Sequence, residues 1–101
     1  MGQLDFAQEI IQDFLHSCES GIAKLRQTKS LADLDTARDE AHRLKGTSST
    51  VAANDLCQIF SEIEEFSISG DLQSVISRLD ILKEEFQVVR EFSATIGEPS
   101  S

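Results

Sequence analysis

One stretch of the chain, Ala41-His42-Arg43-Leu44-Lys45-Gly46-Thr47-Ser48-Ser49, collects side chains that could do chemistry together. A neutral imidazole at ordinary pH presents one nucleophilic ring nitrogen while the other carries a proton. Residues three and four apart share a face of a helix, so Arg38, His42, Lys45, Gly46 and Ser49 align. Ala41 and Leu44 point toward the core, which leaves the His42 ring at least partly in solvent. Three of the nine basic residues, Arg38, Arg43 and Lys45, fall within this short span. On a chain with 18 acidic residues and a formal net charge of -9, that spot indicates that an anion is handled there. Lys45, one turn from His42, is placed to offset the charge of a phosphoryl group on the ring. Gly46, also one turn away, costs a helix about 1 kcal/mol relative to alanine and therefore needs a reason. Removing a side chain that would shield His42 from a partner is such a reason.

Plainer readings of the same residues stand beside these. Gly46 would serve equally as a helix C-cap before a polar Thr-Ser-Ser-Thr loop, although the apolar stripe running on through Ser48 and Val51 favours an unbroken helix. Arg38, Arg43 and Lys45 would also make an ordinary solvated face, pairing with Asp35, Asp39 and Glu40. A lone histidine beside a helix stripe is more often structural than chemical.

Elsewhere the inventory is thin. The chain has no Gly-x-x-x-x-Gly-Lys-Ser/Thr loop and no carboxylate triplet near His42 suited to Mg²⁺. Asp39-x-x-His42 occurs once, whereas a di-iron bundle needs two Glu-x-x-His motifs. Cys18 and Cys57 match no metal spacing and read as unpaired thiols of a reduced protein. Glu62, Glu64 and Glu65 form a solvated run. His16 lies off its helix stripe, on the surface. No metal and no bound cofactor is expected.

Positioning falls to helices. Ala7, Ile11, Phe14, Cys18, Gly21 and Leu25 recur at spacings of four and three, with Ile10, Leu15 and Ile22 widening the stripe, which predicts a helix from about Leu4 to Arg26. Ser30-Leu31-Ala32-Asp33 has the form of a capping box ahead of Leu34, Ala37, Ala41, Leu44, Ser48 and Val51. A bend at residues 51–54, with Asn54 as the next N-cap, leads to Leu56, Ile59, Phe60, Ile63 and Phe66. Ser69-Gly70-Asp71 is a turn with Asp71 as N-cap. The last stripe is Leu72, Val75, Ile76, Leu79, Leu82, Phe86 and Val89, ending near Phe92. Absence of proline before Pro99 leaves helices free to form throughout. Short connections make neighbours antiparallel, so the expected fold is all-α, an up-down-up-down four-helix bundle over residues 1–96, with a flexible tail at 97–101.

Composition closes off other classes. At 101 residues there is room for one domain. With 40% hydrophobic and 27% charged residues the chain is globular, not disordered. Its acidity argues against nucleic acid and anionic membrane surfaces as partners. No apolar run approaches the ~20 residues of a membrane span, and the N-terminus lacks a signal-peptide pattern, so a cytoplasmic monomer is expected.

Ala41-His42-Arg43-Leu44-Lys45-Gly46-Thr47-Ser48 resembles the signature of histidine-containing phosphotransfer (HPt) domains, Ala-His-x-Leu-Lys-Gly-Ser/Thr-Ser/Ala. The resemblance continues through Val51-Ala52-Ala53, Leu56, Phe60, Ile63-Glu64 and Gly70-Asp71-Leu72, and covers roughly residues 5 to 93. Ala52 stands where the family usually has Gly, and Phe60 where Cys is common. The resemblance implies a phosphocarrier, not an enzyme. In it His42 accepts a phosphoryl group from the phospho-aspartate of one response-regulator receiver domain and passes it to the aspartate of another, with Lys45 and Gly46 beside it and Arg38, Arg43 and Ser49 in support. It implies that any Mg²⁺ sits on the receiver. It also implies an acceptor at Glu64 for the ring's Nδ1–H, leaving Nε2 free to attack; the bland alternative is that Glu64 is merely exposed. The same family occurs free-standing and as the end domain of hybrid sensor kinases. A second functional reading is a helical module that binds a receiver or kinase without accepting phosphate.

Overall fold

The apolar stripes come out as four α-helices: α1 (Gly2–Leu25), α2 (Leu34–Thr50), α3 (Asn54–Ser69) and α4 (Leu72–Gly97). A computed structural model describes the backbone of residues 2–51 and 53–97 and the side chains of residues 9–51 and 53–91. Among the described residues there is no strand. Contacts between helices run in reversed order along each pair, as the short connections require. Ser17 reaches Arg43 while Gly21 faces Glu40 and Leu44. His42 and Lys45 reach Glu64 while Ser48 reaches Ala53. Arg78 reaches Glu62, and Val89 and Glu85 line a cleft with Ala53 and Leu56. Glu19 meets Arg90, and Arg26 and Thr28 line a cleft with Ile76 and Asp80. The bundle is therefore up-down-up-down.

Each turn has a local cause. Between α1 and α2 the expected box forms at Ser30, and the Asp33 carboxylate accepts the N–H groups of Lys29 (2.9 Å) and Ser30 (3.1 Å). Those two backbone donors hold the Asp33 carboxyl below its ordinary range. The box caps a 3-10 turn, Leu31–Asp33, which hands over to α2 at Leu34. Between α2 and α3 the expectation of an Asn54 cap is corrected: Ala53 is the N-cap and Asn54 is the first helical residue. The N–H of Ala53 closes α2 on the Ser48 carbonyl (2.9 Å), and its own carbonyl accepts the first α3 bond from Cys57 (2.9 Å). One residue ends one helix and starts the next, so no position remains for a separate cap. Ala52 lies outside the described residues. Between α3 and α4, Gly70 takes a left-handed φ of 77°, a conformation glycine adopts without Cβ strain. Asp71 then caps α4 through the N–H (3.2 Å) and hydroxyl (2.7 Å) of Ser74. Helix α4 runs to Gly97, past the expected end near Phe92, since nothing in Ser93-Ala94-Thr95-Ile96 breaks a helix. Gly97, the expected first residue of a flexible tail at 97–101, is instead the last residue of α4, and 98–101 lie outside the described residues.

The core is built from the four stripes: Phe14, Cys18, Ile22 and Leu25; Leu34, Ala37, Ala41 and Leu44; Leu56, Ile59, Phe60 and Ile63; Val75, Leu79, Leu82 and Phe86. Ile10 stays exposed, and Leu15, Val51, Phe66, Leu72 and Val89 pack at the margin. The side chain of Ala7 is outside the described set. The stripe of α2 is the smallest in volume, and α2 and α3 make the most extensive helix contact. Cys18 is fully buried and unpaired, and burial pushes its thiol up to about 11, so it stays protonated and inert. The wholly buried Ser48 hydroxyl lies against the Cys18 thiol.

Two mid-helix glycines contrast. A Cβ at Gly21 would lie 2.6 Å from Leu44 Cδ1 and 2.8 Å from Glu40 Oε1, whereas one at Gly46 would meet nothing within 4 Å. Gly21 lets α2 seat against α1; Gly46 has no such duty inside the chain. Substitutions at the two sites should therefore move stability in opposite directions. Gly21→Ala is expected to lower the urea midpoint by an overpacking cost of about 1–3 kcal/mol, less the helix gain. Gly46→Ala should raise it by up to about 1 kcal/mol. Paired urea melts check this, and equal shifts would refute the packing role of Gly21.

Candidate functional site

His42 sits in the third turn of α2, between the buried Ala41 and the rest of an exposed face that includes Asp39, Gly46 and Ser49. Its side chain is 68% exposed. Across the seam, Glu64 follows the fully buried Ile63 on α3 and is only 16% exposed. Its two oxygens are both engaged by α2: Oε2 lies 2.7 Å from His42 Nδ1 and Oε1 lies 2.8 Å from Lys45 Nζ.

The electrostatics assign the ring's proton. The ammonium of Lys45, bonded to Glu64, holds the Glu64 carboxyl below its usual range, with the His42 bond helping and partial burial opposing. The same bond holds the Lys45 ammonium above its ordinary value. An ionised carboxylate only accepts hydrogen bonds, so Nδ1 is the donor: Nδ1–H of His42 donates to Glu64. In the neutral ring Nε2 then carries the lone pair, on an imidazole open to solvent.

The other cations of the expected basic spot are spent on neighbouring carboxylates. Arg43 donates through Nε (3.1 Å) and a terminal nitrogen to Glu40, and through the other to the Ser17 hydroxyl on α1 (3.0 Å). Arg38 pairs with Asp39 (3.3 Å) and reaches Asp35 (3.9 Å). For these two arginines the solvated-face reading is the one the geometry follows, and the spot is not a net positive patch. Lys45 pairs with Glu64, a partner that spacing within α2 does not reveal. Of the residues singled out from sequence, His42, Lys45 and Glu64 come together as one cluster. Gly46 and Ser49 lie exposed along the same face, and Arg43 braces α2 against α1. Glu64 is therefore not merely exposed.

Sequence reasoning missed two neighbours. Ser17 belongs to another helix, and no local pattern marks it. Cys57, half-buried one turn before Ser61 and two before Glu64, donates its thiol to the Lys45 carbonyl (3.7 Å). His16 is exposed and far in sequence from any such cluster. Among the described residues no three His, Cys, Asp or Glu side chains gather to hold a metal ion, and no helix is long and apolar enough to cross a membrane.

Compared with known families, residues 9–92 match the family model of the Hpt domain. No curated protein and no solved structure matches the chain.

The Glu64 bridge has a pH signature. Because its folded-state value is depressed, its contribution to stability is present above the ordinary glutamate range, ~4.3, and is lost as pH falls through the lower folded value. Carbon-13 NMR should show Glu64 titrating below the ordinary glutamate range. In Lys45→Met the Glu64 midpoint should rise toward that range; an unmoved midpoint would contradict the assignment of Lys45 as the main cause.

Proposed function

The chain belongs to the Hpt domain family, and on that premise we propose that His42 is its phosphorylated residue. Hpt domains are phosphocarriers of two-component phosphorelays that work with receiver domains and kinases. In this chain the reading is carried by one observation: the exposed His42 ring gives its Nδ1–H to an ionised Glu64, which points a bare lone pair on Nε2 at solvent.

The chemistry follows from that tautomer. The Nε2 lone pair attacks the phosphorus of a receiver's aspartyl phosphate; the N–P bond forms, the P–O bond to the aspartate breaks, and the aspartate leaves as a carboxylate. Nδ1 keeps its proton throughout. Donation to a second receiver is the reverse step. Phosphoryl transfer depends on positioning and on charge stabilisation, and we assign any Mg²⁺ to the receiver, with no cofactor on this chain. Glu64 is a positioning residue that sets ring orientation and tautomer. Gly46 keeps the approach open, which accounts for a glycine that no internal contact requires. Arg43, tied to Glu40 and Ser17, holds α2 in register, and Arg38 and Ser49 border the face a receiver would cover. The direction of flow and the individual receivers follow from the partners, not from this chain. We further propose a cytoplasmic monomer with no nucleic-acid or membrane partner, since the chain's acidity opposes both phosphate backbones and anionic lipid.

Two variants test the reading against a phosphorylated receiver. His42→Gln is expected to abolish labelling of the chain; labelling at the wild-type level would refute the assignment. Binding without any labelling of the wild type would favour the non-catalytic docking module instead. Gly46→Gln should slow transfer about tenfold or more, because small misplacements at a reacting centre are costly. Its far-ultraviolet circular dichroism should stay unchanged, and undiminished transfer would make Gly46 a helix feature only.

A further inference from the structure

We propose that Lys45 changes partners during the phosphorylation cycle: it rests on Glu64 while the ring is free and moves to the phosphoryl oxygens when His42 is loaded. This rests on the assignment of His42 above.

In the resting state both oxygens of Glu64 are in use, one by Lys45 and one by His42. With the ring in the neutral form that can attack, the charges of Lys45 and Glu64 cancel. Loading Nε2 forms the N–P bond and leaves the Nδ1 proton in place, so the ring becomes a phosphoimidazolium. Its bond to Glu64 is then charge-assisted and stronger. The ring itself now compensates the carboxylate, and on its far side stand the negative phosphoryl oxygens.

Three cations lie within a turn or so of His42, and they differ in what their departure would leave behind. If Arg43 moved, Glu40, only 12% exposed, would lose its partner. Arg38 leans only on the exposed Asp39 and Asp35, neither of which bonds the His42 ring, so its pairing is not linked to the state of that ring. If Lys45 moved, Glu64 would keep the newly cationic ring. Lys45 is also the one of the three whose carboxylate is already shared with the reacting residue. It sits three residues from His42, on a flexible four-carbon stem with rotatable donors, and its side chain is 34% exposed. The exchange therefore sets one positive charge against the phosphoryl oxygens without stranding a half-buried carboxylate. In the resting state it also keeps the ammonium off Nε2, so a donor that brings its own cation meets no like charge at the attacking nitrogen.

The experiment is NMR on the full chain with nitrogen-15 lysine, phosphorylated by the small molecule phosphoramidate so that no receiver is needed. The Lys45 Nζ signal is assigned by its loss in Lys45→Met. In resting protein, Glu64→Gln should shift that signal strongly. On phosphorylation the wild-type signal should move, and the difference between wild type and Glu64→Gln should shrink several-fold. The phosphorus-31 resonance of the phosphohistidine should shift in Lys45→Met. A wild-type Lys45 signal that stays in place on a phosphorylated ring would overturn the exchange and leave the role of His42 standing. A wild type that gives no phosphohistidine resonance, and no label from a phosphorylated receiver, would overturn both. Should Glu64→Gln fold poorly, the wild-type shift and the Lys45→Met phosphorus spectrum decide the matter alone.

Discussion

The carboxylate of Glu64 spans the seam between α2 and α3, and the ring orientation, the tautomer and the resting place of Lys45 all hang on it. That carboxylate is placed by packing. Ala41, Leu44 and Ile63 are fully buried, and the three polar residues that meet, His42, Lys45 and Glu64, each follow one of them in sequence. One residue is a rotation of about 100° around a helix, so the neighbour of a core anchor comes out at the margin of the seam. The small side chains of α2 let α3 close on it, and Ile63 sets the depth from which Glu64 reaches across. The site is thus an edge effect of the core.

Its electrostatics are those of balanced pairs. A surplus of carboxylates surrounds His42, and each nearby cation is held by one of them. Long-range attraction is not what would bring a phosphoryl group to this face; the chain's net charge opposes it. What the face offers is a lone pair in a fixed direction and charge that can be re-paired locally. Cys18, a core thiol of α1, is kept protonated by burial and takes no part.

The helices were largely legible because period and capping are local properties. The α2 stripe, the Ser30–Asp33 box, the Gly70 turn and the Asp71 cap all follow from residues within a few positions of one another. The expectation failed where two local signals overlapped: Ala53 closes α2 and opens α3 by backbone bonds alone, so Asn54, a good cap by type, is inside the helix. The end of α4 was misplaced because the last apolar residue of a stripe need not be the last helical one. Within the site, the placing of His42, Lys45 and Gly46 on one helix was readable from spacing. The ties of Lys45 to Glu64 and of Arg43 to Ser17 cross helices, and no periodicity reports the register between two helices. Glu64 was reached through family resemblance and then found where the ring needs it.

The notch at Gly21 bears on how this sequence can change over generations. Leu44 fills the space that a Cβ at position 21 would take, and Leu44 is the anchor beside Lys45. A larger residue at 21 needs room from Leu44 and from Glu40, and without it displaces the helix that bears His42. Relatives that have drifted apart elsewhere should therefore enlarge position 21 only alongside changes at these α2 positions.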